Sequence, residues 1–528
     1  MPPSRHVQSP LGQAFSTACA IRGPVALVTY VDELRAALGK EKVLDSDFDT
    51  FSYSSDFSPM GPGEEVVPDV VVLPRTTQDV VEVVRVARAH GVPVTAVGGM
   101  TGMAGGALAV RGGILLATHS MGKVLEVDVA NQTVRVQAGC TIQRVNDALE
   151  PHGLWMPHLP ESKWSCTVGA SISCDNDSTF GMRHGKILQP LLSVQVVDGN
   201  GRVVEFGHRK TRFTSSGYKL KDLFVGAEGT LGVVTEATLK VEPAPPYRRV
   251  EMIVMPSLTR AVDLITHCLR SGICLEAAHI NCRHRLRFYT HAYVVKHGKE
   301  PEIPAWAGGL LAFAVAGERE VVDPQVEWVI RQAETSFGGQ QVRERDIVDS
   351  WWTSKHTLEF EPFKQKWPAT QGEKMFGAAD VGVPMGVLEH FYEEGFMALL
   401  KEHRLQVLGM NAYLEHPNSV GFSLSCAVFV DYHDQDEVDR YRAFNLAMAR
   451  KAVELGGTCT TYMSDTHLKI PVMREEAGEA LEYYRRIKDV FDPQNIMNPG
   501  KKWDHPTTGP DGTVSREAAK GRGGARHG

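Results

Sequence analysis

The sequence predicts an α+β protein of more than one domain, and three observations carry that expectation. The chain has 528 residues, too many for one compact core. A strand–helix–strand start near Pro68 passes into short strands separated by glycine and asparagine turns. From Arg248 the texture changes to longer alternations of strand and helix, as for a sheet with helices on one face.

The elements follow in order. Val31–Leu38 reads as a helix. Val70 to Leu73 is a buried strand stopped by Pro74. Thr76 stands three residues before Asp79, a helix-start pattern, and Val80, Val83, Val84 and Ala87 recur at helical spacing. Gly91 and Pro93 end that helix, and Val94–Val97 is the next strand, so a parallel pairing with a right-handed crossover is expected. Strands follow at Ile114–Ala117, Val124–Val127 and Thr133–Val136, then a helix at Ile142–Glu150. Leu192–Val197 and Arg202–Glu205 flank Asp198-Gly199-Asn200-Gly201, a strong hairpin signal. Gly232–Val241 is a strand, and Pro243 to Pro246 marks a boundary. Beyond it lie a strand at Val250–Val254, a helix capped by Ser257, strands at Gly309–Ala316 and Gly421–Val430, and helices at Gln325–Thr335, Gly386–Lys401 and Asp436–Leu455. Val420, Phe422, Leu424, Cys426, Val428 and Val430 alternate with small residues, the pattern of a half-buried strand. A last helix spans Ala477–Val490. The expected division is an N-terminal segment (1–65), a first domain (66–243), a second (244–470), a return to the first (471–504) and a disordered tail (505–528).

Composition narrows the function classes. Hydrophobic residues make up 43% and charged residues 23%, an ordinary globular balance. A net charge of -7 gives no electrostatic reason to expect nucleic acid. The longest apolar run, Leu310 to Ala316, falls short of the roughly 18–20 residues that span a bilayer. The N-terminus lacks a basic-then-apolar export signal. Nine cysteines, without a Cys-x-x-Cys pair, read as reduced thiols in a cytoplasmic protein.

The sharpest motif is Gly98-Gly99-Met100-Thr101-Gly102-Met103-Ala104-Gly105-Gly106, directly after a strand. So many glycines let backbone N–H groups converge on a diphosphate without Cβ clashes. A lone Gly-Gly would be a surface turn. A P-loop needs a lysine that is absent here, and a Rossmann fingerprint must open a helix, whereas this loop runs into Ala107–Val110 and another strand. A second motif is Pro160-Glu161-Ser162 with Thr167 and Gly169, small and hydroxyl residues suited to a heterocycle edge. A third is Glu228-Gly229-Thr230-Leu231-Gly232-Val233 at a strand entry. A fourth is Asn498-Pro499-Gly500-Lys501.

In this order and spacing the four motifs resemble the flavoproteins of the vanillyl-alcohol oxidase superfamily. The likeness is greatest to the branch of FAD-linked oxidases with D-lactate dehydrogenase, D-2-hydroxyglutarate dehydrogenase and the flavin subunit of glycolate oxidase, over Pro68 to Lys501. The resemblance implies a two-subdomain FAD-binding domain and an α/β cap over the flavin. Gly98, Gly99, Met100, Thr101, Gly102, Met103, Ala104 and Gly105 would cradle the FAD diphosphate. The Pro160–Gly169 stretch, with Pro160, Glu161, Ser162, Thr167 and Gly169, and the segment to Gly185 would line the ring and ribityl chain. Glu228, Gly232 and Val233 would lie near the adenine half, and Asn498 joins the cofactor set.

The chain departs from the hydroxy-acid branch in its cap. That branch carries a His-x-Gly-Asp-Gly-Asn-x-His run whose histidines help hold a divalent metal. Here the run begins at His416 and the second position is Ser423, and the later Glu-His-Gly becomes Thr466-His467-Leu468, so no metal is expected. Trp351-Trp352-Thr353-Ser354-Lys355 is similar to a Trp-x-x-Arg whose arginine grips the substrate carboxylate, with Lys355 keeping the charge but not the fork. Thr466-His467-Leu468 matches the phenol-oxidising branch, but its preceding Tyr-Arg pair is replaced by Ser464 and Asp465.

Alcohol oxidation at a flavin needs hydride delivered to N5 and a proton taken from the hydroxyl. The candidate catalytic residues are His416, His467, His279 and Tyr462, with Lys355 and Tyr413 for substrate; Tyr413 is a further phenol base. Arg283-His284-Arg285-Leu286-Arg287 reads first as a solvated helix face and second as an anion site. The expected activity is FAD-dependent oxidation of a hydroxyl-bearing small molecule, a D-2-hydroxy acid before a phenolic or benzylic alcohol. The alternative is a flavin-bearing subunit of a larger electron-transfer complex. An external electron acceptor, oxygen or a redox partner, is implied, and homo-oligomerisation is left open.

Overall fold

The computed structural model describes residues 24–59, 65–355, 374–417, 419–463 and 466–502. Three larger sheets organise the described residues, with a two-stranded ribbon of Leu154–Trp155 and Glu242–Pro243 beside them. The first has the order β1-β2-β4-β3: β1 (Val43–Leu44), β2 (Val70–Val72), β3 (Val94–Val97) and β4 (Ile114–Ala117). Thr76 and Asp79 form a reciprocal capping box, and Gly91 closes the helix Thr77–His90 in the left-handed conformation. Val80, Val83, Val84 and Ala87 are all fully buried against the sheet. β2 and β3 run parallel as expected, but β4 lies between them and pairs with both. Residues 107–110 form no strand, and the glycine loop reaches β4 through turns.

The second sheet is antiparallel with the order β5-β6-β9-β7-β8. It comprises β5 (Val124–Asp128), β6 (Thr133–Gln137), β7 (Leu191–Asp198), β8 (Val203–Gly207) and β9 (Gly232–Lys240). The hairpin at Asp198–Gly201 forms where its turn residues placed it.

The third sheet has the order β13-β10-β12-β11-β15-β16-β14, antiparallel throughout: β10 (Tyr247–Met255), β11 (Ala277–Cys282), β12 (Gly309–Gly317), β13 (Gln340–Gln341), β14 (Met375–Pro384), β15 (Gln406–Tyr413) and β16 (Gly421–Val430). Its helices lie on both faces, not one. Leu258–Arg270, Arg319–Ser336 and Gln435–Glu454 pack on Ile253, Leu311, Phe313 and Ile280. On the opposite face Leu286, Tyr289, Ile347, Val348 and Trp351 pack on Met252, Val254, Leu310 and Ala312. The alternation of these strand residues between two apolar clusters is the period-two signature of a sheet covered on both sides. β16 is likewise buried on both faces, not half-buried. The region expected as one helix at Gly386–Lys401 is broken into short pieces around a π-helical turn at Phe391–Met397. The last helix begins at Ala480. The tail from Trp503 lies outside the described residues.

Candidate active site

A cavity of about 380 Å³ lies where the three sheets meet. Its floor is the glycine loop, and the glycines do two different jobs. A Cβ on Gly99 would lie 2.0 Å from the Ser165 carbonyl oxygen, and one on Gly98 would lie 2.3 Å from Thr167 Oγ1, so these two let the loop press onto the neighbouring segment. At Gly102 the nearest foreign atom would be 3.9 Å away, so its missing side chain leaves room for a ligand. The loop is tied down from behind. Phe57 N–H donates to the Gly102 carbonyl at 3.0 Å, and buried Lys501 donates to the carbonyls of Gly105 (2.5 Å) and Gly106 (3.3 Å). Burial pulls the Lys501 pKa down to about 8.

The second wall is Pro160, Glu161, Ser162, Cys166, Gly169, Asn176 and Asp177. Thr167 caps the helix Val168–Cys174, accepting from Ala170 N–H. A Cβ on Gly169 would come within 2.8 Å of Ala138 Cβ, so this glycine also serves close packing. Burial drives the His158 pKa down to about 3, leaving it neutral, with Nε2 3.0 Å from Asn176 Oδ1. The third wall is Glu228, Gly229, Gly232, Val233 and Val234. Asn498 Nδ2 donates to the Glu228 carbonyl at 2.6 Å, and Lys502 lies 3.3 Å from the Glu228 carboxylate. The C-terminal motif therefore buttresses two cofactor-side loops. These residues suit an extended dinucleotide: Cβ-free backbone at one end, small hydroxyl and apolar groups along the middle, and a glycine-bearing strand entry at the other.

The roof comes from the third sheet and its inner helix: Arg285, Phe376, Tyr413, Ser425, Tyr462 and Met463. Arg283 and Arg287 are exposed as expected of a solvated face, but Arg285 is buried and lines the cavity. Gly409 makes that possible, since a Cβ there would lie 2.8 Å from Arg285 N. Arg285 Nε donates to Tyr289 Oη at 3.4 Å, and Tyr289 donates to Asn281 Oδ1 at 3.3 Å. Lys355 Nζ bonds Glu161 and donates to Tyr413 Oη at 3.1 Å. Burial opposes the Lys355 ammonium, but Glu161 and the nearby tyrosines hold its pKa above the usual lysine range. Burial raises both Tyr413 and Tyr462, whose rings meet edge-to-face at 6.2 Å. Asp380 positions Tyr462 from below: its carboxylate accepts the N–H groups of Thr461 (2.8 Å), Tyr462 (3.0 Å) and Met463 (3.1 Å) and pairs with buried Lys469.

The structure brings together on the cavity wall Gly98, Met100, Thr101, Gly102, Met103, Pro160, Glu161, Ser162, Gly169, Glu228, Gly232, Val233, Tyr413 and Tyr462. Gly99, Gly105, Thr167 and Asn498 stand just behind it as supports of the lining segments, and Ala104 lies in the loop off the wall between Met103 and Gly106. Gly185 borders a separate small polar cavity with His158, His184 and Gln189. Lys355 stands behind Tyr413. His279 is buried beneath the same tyrosine, ring centroids 4.7 Å apart, with Nε2 3.1 Å from the Thr179 carbonyl oxygen. His416 is half-buried in the turn after β15 and off the wall. His467 lies in the first turn of the helix Thr466–Ala477, and its side chain, with Ser464 and Asp465, falls outside the described residues. Sequence reasoning did not single out Asn176, Asp177, Arg285, Phe376, Ser425 or Met463. Asn176 and Asp177 lie in the segment to Gly185 expected along the flavin, and Arg285 lies inside the basic run that also admitted an anion site.

A glycine-lined dinucleotide cradle beneath a charged, aromatic roof defines a flavoprotein oxidoreductase. Comparison with known proteins gives the family. Residues 68–207 match the FAD binding domain family, and residues 244–502 match the C-terminal domain of FAD linked oxidases. The chain belongs to the FAD-linked oxidases and is an FAD-dependent enzyme. Among curated relatives, a probable mitochondrial D-lactate dehydrogenase of Danio rerio is 27% identical over 441 residues, 82% of this chain and 84% of the relative. The glycolate oxidase subunit GlcD of Bacillus subtilis is 25% identical over 475 residues, 89% and 96% of the two chains. A solved 4-ethylphenol oxidase from Gulosibacter chungangensis shares the fold, with a TM-score of 0.75 at 18% identity over 92% of this chain and 99% of that one. Among the described residues no helix is long and apolar enough to cross a membrane.

Proposed function

We propose that this enzyme oxidises a small hydroxy acid of the D-2-hydroxy type, with the substrate carboxylate against Arg285 and the hydroxyl toward the flavin side of the cavity. The observation that carries this reading is a buried guanidinium on the roof; the Lys355 ammonium behind the wall is paired with Glu161 and leaves Arg285 as the cation of the roof. A cation in so dry a place favours an anionic ligand, because water competes little for the interaction. The curated relatives' names point the same way. FAD, when bound, supplies the hydride acceptor at N5; the chain's residues bind and orient the substrate, exclude water and take the proton. Lys355 and Glu161 hold the Tyr413 hydroxyl in place, and Tyr462 closes the roof beside it.

The test is anaerobic rapid mixing of the purified holoenzyme with D-lactate, glycolate and D-2-hydroxyglutarate on one panel and 4-alkylphenols on the other. Bleaching of the oxidised flavin band by the acid panel supports the reading; bleaching by the phenols alone overturns it. The paired tyrosines on the roof favour the phenolic alternative, since two hydroxyls beside an arginine also suit a phenolate. The electron acceptor is external. Dye reduction by the pure chain with substrate separates a self-sufficient enzyme from a subunit that needs a partner.

A further inference from the structure

One piece of the cavity wall comes from outside both matched family domains. The FAD binding domain match begins at residue 68, yet Phe57 lines the cavity together with Met100, Met103 and Phe376. The N-terminal segment that carries Phe57 is anchored along its length. β1 pairs with β2, setting Leu44 opposite Val71, and Lys42 Nζ lies 3.0 Å from both carboxylate oxygens of Asp79. Ser46 caps the short helix Asp47–Phe51. Leu44 and Tyr53 then pack against the same apolar cluster as Met100 and Ala107, which stand near the start and just past the end of the glycine loop. The next residues are tied to that loop one after another. The Asp56 carboxylate accepts Ser58 N–H at 3.0 Å, bonds the Ser58 hydroxyl and accepts Ala107 N–H at 3.4 Å. Phe57 N–H donates to the Gly102 carbonyl at 3.0 Å.

Two observations point to a ligand. The atom nearest to where a Gly102 Cβ would stand is Asp56 Oδ2, at 3.9 Å, so the segment lies beside the point of the loop that leaves room for a bound group. Phe57 keeps 37% of its surface exposed although its backbone is fixed, and a ring held at a cavity wall loses that exposure when a ligand arrives. We propose that Asp56, Phe57 and Ser58 form a clasp for FAD. The Phe57 ring covers the dinucleotide where it passes Gly102, and Asp56 is a positioning residue that sets the shape of the loop through Ala107. The Asp56 charge does not repel the diphosphate unopposed, because Lys501, which holds the Gly105 and Gly106 carbonyls beneath the same loop, offsets it. The clasp concerns the cofactor and holds whichever alcohol is oxidised.

Fluorescence titration of the apoprotein with FAD tests the clasp without turnover. Phe57→Ala should weaken FAD at least about tenfold, the scale of returning part of a phenyl ring and its partner to water, and Phe57→Leu should recover most of the loss. A dissociation constant in Phe57→Ala within about threefold of the parent overturns the ring contact. Asp56→Leu should weaken FAD and alter the visible circular dichroism of the bound flavin. Asp56→Asn, which keeps an acceptor for Ala107 N–H, should restore both, and a loss that Asp56→Asn does not restore overturns the positioning role. Hydrogen exchange in the parent reads the same contact without substitution: the amides of residues 56–58 should slow on saturation with FAD. Should Phe57→Ala fail to fold, this exchange decides, and unchanged rates at 56–58 overturn the clasp.

Discussion

The two sides of the cavity are built on different plans. The cofactor side is made of continuous short segments, 98–106, 160–169 and 228–234, whose demands are local: missing Cβ atoms, a helix cap and a strand entry. The substrate side is made of single residues from five separated places, Arg285, Phe376, Tyr413, Ser425 and the pair Tyr462 and Met463, each delivered by register and by one close approach at Gly409. On the proposed reading the first plan holds a constant ligand by backbone, and the second reads a variable ligand by side chains.

Substitutions can break or sharpen that contrast. The largest effect is expected at Gly99. Gly99→Ala forces a Cβ against the Ser165 carbonyl, an overpacking cost of at least about 1–3 kcal/mol, so the protein should be recovered colourless with a lowered Tm. Gly102→Val is the sharper companion: with the nearest atom 3.9 Å away it should leave the apoprotein Tm unchanged yet weaken FAD at least about tenfold, measured by fluorescence titration. Were both variants to bind flavin normally, the loop would not be the cradle.

Next comes the roof. Arg285→Met should retain flavin and lower kcat/KM for the hydroxy acid by about 10- to 100-fold, the worth of a charge-assisted hydrogen bond, with only partial recovery in Arg285→Lys. An equal loss of flavin would mean that the two sides are not separable.

A smaller, pH-dependent effect is expected at the seam between the domains. Burial opposes the charged form of His184, but Glu242 at 3.3 Å and Glu276 at 3.9 Å raise its pKa above that of free histidine. A raised pKa means that the folded state binds the proton more tightly. The stabilisation is complete below the unfolded value of about 6.5 and disappears as pH rises through the folded value. His184→Gln should therefore lower Tm at pH 6 and leave it little changed at pH 9, by calorimetry. The smallest effect belongs to His416, which stands off the wall: His416→Gln should keep kcat within about twofold, as surface-turn substitutions away from special features do.

Much of the fold was legible because its signals are short-range. The Thr76–Asp79 capping box, the Asp198–Gly201 hairpin and the Ser257 cap all form as their residues require. The insertion of β4 between β2 and β3 was not legible, because strand order depends on packing of the whole layer. Nor were helices on both faces of the third sheet: Leu286, Tyr289, Ile347 and Trp351 gave no sign of which face they would cover. The basic run at Arg283–Arg287 shows the limit most clearly. Its charges suggest solvent, and only its seat over Gly409 turns one arginine of three inward.

The amino-acid sequence by itself determined the local glycine-rich geometry, the cofactor and the family, because glycine positions, caps and turn residues act through backbone geometry within a few residues of themselves. The tertiary structure alone decided the roof of the cavity, the burial of Arg285 and the arrival of Asp177 on the cavity wall. Those contacts join residues far apart in the chain, and a side chain's environment there depends on which surfaces the folded layers bring face to face.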